Sequence, residues 1–254
     1  MKYGVQMYSL RDVAEFDLKK ALEAAAEKGY KFVEFAGFFG NSAETVKSWL
    51  DELGLEAIGS HTGPEDLEAD RIEASIAYQK TIGSKYLTLP YYADYGTNEK
   101  FDHILELLND AGERLKKEGI TLCYHNHSLE FYKTPAGRMP MEELIAKTNV
   151  GLEPDVFWIE NADRDALAFL EENKERIKLV HLKDGKINRE IEGSYEGWFR
   201  EAKGVSLGLG DVPVADIVRW ADKNGVPVIV ESEGINPTGP EEVGRCMDYL
   251  KSIE

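Results

Sequence analysis

Four of the five histidines in this 254-residue sequence, His61, His125, His127 and His181, fall at the ends of short apolar or β-branched runs, and only His103 lies within a helical stretch. Carboxylates share that placement: Glu34, Glu130, Glu153, Asp155, Glu231 and Glu233 end such runs or follow them closely. Imidazole nitrogen mixed with carboxylate oxygen suits Mn²⁺, Co²⁺, Zn²⁺ or Fe²⁺, with Mg²⁺ also admitted, better than Ca²⁺, which prefers oxygen alone. One divalent ion is the economical explanation of the pattern. Alternation along a strand puts Glu153 and Asp155 on one face, and likewise Glu231 and Glu233, so either member of each pair could reach a common centre.

These groups act together only if the fold gathers the ends of the runs. Strand candidates are residues 2–8, 31–35, 56–60, 86–90, 121–126, 150–154, 177–182 and 226–231, and helical periodicity fills most of the gaps, as over 17–28 and 98–118. Strands alternating with amphipathic helices are the signature of βαβ units around a parallel sheet, and eight of them close an α/β (β/α)8 TIM barrel. Glycines at 29, 54, 83, 119 and 225 stand where helices end before the next strand. No linker or low-complexity tract interrupts the series, which predicts a single domain over residues 1–254. In such a barrel, polar residues at the C-terminal strand ends point into one mouth.

The segment from about Asp184 to Gly210 carries six glycines along with Tyr195, Trp198 and Phe199. Following strand 7, it would lie over that mouth as a substrate-covering lid. Within it, Gly208-Leu-Gly210 could cradle a phosphate through backbone N–H groups. The net charge of -17, from 30 basic and 47 acidic residues, opposes nucleic-acid and anionic-membrane partners. Two cysteines, no basic and apolar leader and no run long enough to span a bilayer lead to the expectation of a soluble cytoplasmic protein with free thiols; a homo-oligomer is compatible with all of this.

The same strand ends carry a family resemblance. Gly4-Val-Gln-Met-Tyr-Ser-Leu-Arg11, Gly29-Tyr-Lys-Phe-Val-Glu-Phe35, Tyr124-His-Asn-His-Ser-Leu-Glu-Phe131, Leu152-Glu-Pro-Asp-Val-Phe-Trp158, His181-Leu-Lys-Asp184 and Val230-Glu231 follow one another in order through the chain. In these segments the sequence resembles the sugar phosphate isomerase/epimerase superfamily, the xylose isomerase-like barrels. The resemblance implies a metal site of Asp155, His181 and Glu231, with Glu130 as the fourth ligand and His125 the close alternative. Many relatives place a glutamate on strand 5, where this chain reads His125-Asn126-His127. Since an imidazole takes a proton near neutral pH without tuning, His125 and His127 are candidate bases beside Glu231. Gln6, Glu34, His61, Trp158 and Lys183 are the expected substrate contacts, with Tyr8, Phe38, Phe39, Tyr91 and Tyr92 available as apolar walls.

The activity this implies is metal-dependent isomerisation or epimerisation of a ketose, inosose or keto-sugar, by proton transfer through an enediolate that the ion stabilises. If that species expels a β-hydroxyl instead, the enzyme is a dehydratase or lyase of a keto-polyol or 3-keto sugar derivative. A non-catalytic sugar-binding barrel is the third reading. The resemblance also extends to apurinic endonucleases, which gather three zinc ions; five histidines and a charge of -17 argue against that chemistry.

Overall fold

The computed structural model describes residues 1–92 and 95–254. Its strands in chain order are β1 (Tyr3–Gln6), β2 (Phe32–Phe35), β3 (Glu56–His61), β4 (Tyr86–Leu89), β5 (Thr121–His125), β6 (Gly151–Glu153), β7 (Val180–Leu182), β8 (Asp184–Lys186), β9 (Lys203–Val205) and β10 (Val228–Val230). Eight of them form one sheet in the order β6-β5-β4-β3-β2-β1-β10-β7, every pair parallel. Where β7 returns to β6 the ladder is reduced to two isolated bridges, Leu152–Ile177 and Asp155–His181, and through them the predicted barrel closes.

The sequence places the elements well and their ends less well. The seventh strand, predicted over 177–182, is regular only from Val180, because Ile177 pairs alone with Leu152. The predicted lid is more ordered than its glycine content suggests: β8 and β9 pair antiparallel, with Asp184 opposite Val205. Helix starts follow side-chain caps. Asp17 accepts from Lys20 N ahead of Leu18–Lys28, and Thr97 accepts from Lys100 N ahead of Asn98–Lys117. Among the described residues, no helix is long and apolar enough to cross a membrane.

Two layers fill the barrel, and the period of two along a strand relates them. The lower layer is apolar or lacks side chains, with Gly4, Phe32, Gly59, Tyr86, Cys123, Gly151, Leu179 and Ile229, one from or beside each strand. It is tightly filled: a Cβ added at Gly4 would stand 2.5 Å from Ile229 Cδ1, and one at Gly151 2.9 Å from Cys123 Sγ. Two residues further along each strand comes a polar ring of Gln6, Glu34, His61, Thr88, His125, Glu153, His181 and Glu231. All but His61 are buried. Between sheet and helices lie the larger apolar clusters that make the barrel rigid enough to hold such a ring.

Candidate active site

His181 is the centre of the ring. Its Nδ1 lies 2.8 Å from Glu231 Oε2, and its Nε2 lies 2.6 Å from Glu34 Oε2 and 3.0 Å from Glu153 Oε1. His61 Nε2 approaches the same two carboxylates, at 2.9 Å from Glu153 Oε1 and 3.3 Å from Glu34 Oε2. Around the edge, Gln6 Nε2 donates to Glu34 Oε2 (2.9 Å) and Thr88 Oγ1 to Glu153 Oε2 (2.8 Å). Burial works against charge on His181 and His61, yet Glu34 and Glu153 overcome it, holding His61 at about 9 and His181 well above its ordinary range. Burial alone would likewise raise the Glu153 and Glu231 carboxyls. His181 beside the first, and Lys183 with His181 beside the second, keep both well below the usual carboxylate range. Protons on imidazole thus stand where positive charge is needed.

His125 and His127 differ from them. Burial, with Glu153 opposing it and the neighbouring imidazoles adding to it, lowers His125 to about 4; burial, then His125 and Lys183, lowers His127 well below its ordinary range. Both are neutral bases at pH 7. The same fold therefore holds one pair of imidazoles charged and another neutral within ring-contact distance, His61 and His125 being 5.3 Å apart between centroids.

Two overlapping sets of donors lie within 4.8 Å of one another: His61, His125, Glu153 and His181, and His125, Asp155, His181 and Glu231. The second fits an ion better, provided that the ion displaces the proton His181 holds between Glu231 and Glu34. In the first, Glu153 already binds His61, His181 and Thr88. In the second, Asp155 caps the helix Val156–Asn161 with Oδ1 alone, accepting from Phe157 N (2.9 Å) and Trp158 N (3.1 Å), while its buried Oδ2 has no hydrogen-bond partner among the described residues. Glu34 Oε1 and His125 Nδ1 are also buried without such partners, and the His125 Nε2 to Asp155 Oδ2 distance is 4.0 Å. Asp155 is raised to about 7, by burial first, with Lys183 opposing it. An unpartnered carboxylate oxygen facing imidazole nitrogen is the donor chemistry of a nitrogen- and oxygen-liganded divalent cation.

The expected fourth ligand Glu130 is not brought to this cluster. After β5 the chain turns back so that Glu130 Oε2 accepts from His127 N (2.8 Å), and Oε1 from the hydroxyl of Tyr124 (2.7 Å), itself joined to the hydroxyl of Tyr95. Glu130 braces the His127 loop, and His125, the alternative, lies in the cluster in its stead. Burial pushes Glu130 up to about 8 from an ordinary 4.5. Between those values the folded chain holds a proton that the unfolded chain has released, so stability falls as pH rises from about 5 to 8, by at most about 1.4 kcal/mol per pH unit. In Glu130→Gln this component of the slope should vanish. Urea midpoints of both proteins at pH 5 and pH 8 check it; an unchanged difference would refute it.

Above the ring opens a cavity of about 900 Å³, whose wall includes His61, His125, His127 and Glu231. Of the expected substrate contacts, His61 faces it, whereas Gln6, Glu34, Trp158 and Lys183 are at most 2% exposed and lie behind the wall. They support the site. Lys183 turns to pair with Glu233 and lies 4.6 Å over the Trp158 ring. Of the expected aromatics, Tyr8, Phe38 and Tyr91 reach the cavity; Phe39 and Tyr92 do not line it.

The predicted covering segment contributes Trp198, which contacts His127 at 5.5 Å and Trp158 at 5.2 Å between ring centroids. Sequence reasoning missed what fixes it. Asn161 Nδ2 donates to Trp198 O (2.9 Å) and Ser128 Oγ (3.0 Å), and Arg200 Nη1 donates to Asn161 O (2.8 Å). The Gly208-Leu-Gly210 turn is not open to phosphate: the buried carboxylate of Asp184 already accepts from Gly208 N and Gly210 N at 2.9 Å each. Neither Asn161 nor Asp184 carries a sequence signal for these partners, which come from distant segments.

A family model described as a xylose isomerase-like TIM barrel matches residues 22–253. An inosose dehydratase from Mesomycoplasma hyopneumoniae is 26% identical over 94% of this chain and 89% of its own length. Among solved structures, a sugar phosphate isomerase/epimerase from Parabacteroides distasonis superposes with a TM-score of 0.80 at 24% identity, covering 98% of this chain and 97% of that one. A probable 3-DHS dehydratase involved in petrobactin synthesis in Bacillus anthracis gives a TM-score of 0.74 at 12% identity, with 99% of each chain covered. At these identities the two structures show a shared fold.

Proposed function

Because this chain belongs to the xylose isomerase-like TIM barrel family, we propose that it is a metal-dependent dehydratase of an unphosphorylated keto-polyol of the inosose type. The observation that carries this reading is the buried cluster of His125, Asp155, His181 and Glu231, of which His125 and Glu231 line the cavity. Relatives named inosose dehydratase favour elimination over the isomerisation that the strand-end motifs first suggested. The cavity favours a neutral substrate, since no described residue lining it is Lys or Arg and the phosphate cradle is filled by Asp184.

A divalent ion held by the four residues would stabilise negative charge developing on the substrate's carbonyl oxygen. The chain's own groups handle the protons. His127, neutral and facing the cavity, takes the proton from the carbon next to the carbonyl, and that C–H electron pair becomes the new carbon–carbon double bond. The C–O bond at the next carbon breaks, and His61, which holds a proton at about pKa 9, gives it to the departing hydroxide, which leaves as water. Glu34 and Glu153 orient His61, and Trp198 excludes solvent above His127. An isomerase would share the first step and return the proton to carbon.

Incubation with an inosose and Mn²⁺ in deuterated water separates the outcomes. Formation of the product lighter by one water is expected. Deuterium incorporation without loss of water would assign the isomerase reading instead, and neither change would overturn both.

A further inference from the structure

The cavity extends beyond the ring. Past His61 it runs over the end of β3 into a recess between strands β3 and β4 and the helix Ile72–Ile82, walled by Ser60, Ser75, Tyr78, Gln79 and Leu87. Ser60 alternates with Gly59 and His61, so its side chain leaves the barrel toward that helix. Gln79 meets it there: only 2% exposed, its Nε2 donates to Ser60 Oγ at 2.8 Å, while its Oε1 has no partner among the described residues. Turning the amide over exchanges the two atoms and still leaves half of it unpaired. The other polar groups of the recess are already engaged, Ser75 Oγ with Asp66 O (3.1 Å) and the Tyr78 hydroxyl with Asn41 O (2.9 Å). The Phe38 and Tyr78 rings, 3.9 Å apart between centroids, supply an apolar flank.

A buried amide half with no protein partner is costly, and it becomes a satisfied acceptor when a donor reaches it. The cavity's volume of about 900 Å³ lies near the top of the range for pockets that bury drug-sized ligands, well beyond one six-membered polyol ring. With no Lys or Arg on the described wall, and Asp66 among its residues, the recess suits no anionic group.

We propose that this recess is a second subsite, which takes an uncharged, hydroxyl-bearing substituent on the substrate ring. One of its hydroxyls donates to Gln79 Oε1, and its carbon face lies against Phe38 and Tyr78. The proposal rests on the keto-polyol dehydratase reading and adds a specificity determinant to it. Titration calorimetry on the Mn²⁺-loaded protein tests it, with an unsubstituted inosose and the same inosose carrying a glucosyl group as the two probes. The glucosyl compound should bind about tenfold more tightly, the scale of one neutral hydrogen bond. That preference should fall below about threefold in Gln79→Leu. It should fall equally in Ala74→Trp, which fills the recess from an exposed position and serves if the buried substitution impairs folding. Equal affinities in the wild type, or a preference that survives both substitutions, would overturn the subsite while leaving the dehydratase reading intact wherever the unsubstituted inosose still loses water. Binding of neither probe would overturn both.

Discussion

Glu231→Gln is expected to lower kcat/KM on an inosose by about 10³-fold or more, and to weaken Mn²⁺ binding as well, with the barrel still folded. The carboxylate lies 2.8 Å from His181 Nδ1 and shares a 4.8 Å cluster with His125, Asp155 and His181. Gln keeps the shape and one acceptor oxygen but removes the charge that a cation requires, and it can turn an N–H₂ toward the ion. Three decades correspond to about 4 kcal/mol of transition-state stabilisation, within what one charged ligand and the proton transfers it supports can supply. Kinetics and metal titration on one preparation, with a circular dichroism melt for folding, decide the matter. A loss below tenfold with Mn²⁺ affinity intact would remove Glu231 from the site. Unchanged sugar affinity with no turnover in either protein would instead support a non-catalytic barrel.

The second large effect concerns stability. Asp184 is 1% exposed and accepts four backbone N–H groups, from Gly185 (2.9 Å) and Val212 (3.2 Å) at Oδ1 and from Gly208 and Gly210 (2.9 Å each) at Oδ2. The chain approaches so closely that a Cβ on Gly210 would stand 1.8 Å from Oδ1. Asp184→Ala strands those donors, and at about 1–3 kcal/mol for each one left dry the loss should reach about 4 kcal/mol or more. Asn is no remedy. Whichever way its amide turns, an N–H₂ group faces two N–H donors, so Asp184→Asn should lie close to Asp184→Ala. Urea unfolding of the three proteins provides the check, and Asp184→Asn within about 1 kcal/mol of wild type would refute the clamp.

These two residues also show what the sequence could and could not convey. Glu231 was legible because a polar residue closing an apolar strand has one natural destination in a parallel barrel, the C-terminal mouth. His61, His125 and His181 were legible for the same reason, and so was the eightfold alternation that gathers them. Asp184 was legible as part of a motif but not as a clamp, since three of its four partners lie 24 to 28 positions away in a loop whose path depends on the clamp itself. Glu130 misled because proximity in sequence to β5 says nothing about which way the following turn carries its carboxylate. Strand parity alone left Glu153 and Asp155 tied, and the resemblance pointed to Asp155; in keeping with that, the helix start takes one oxygen of Asp155 and leaves the other unpartnered. Lys183 looked like a substrate contact by position, and burial against Trp158 made it a support.

Asp155 and His181 are also the two residues of one of the bridges by which β6 meets β7. Every other neighbouring pair in the barrel is joined by a ladder of three or four residue pairs, so this seam is the wall's least reinforced line. An ion gripped from both banks of the seam would serve as a rivet, making loading with metal and closure of the cylinder a single thermodynamic event.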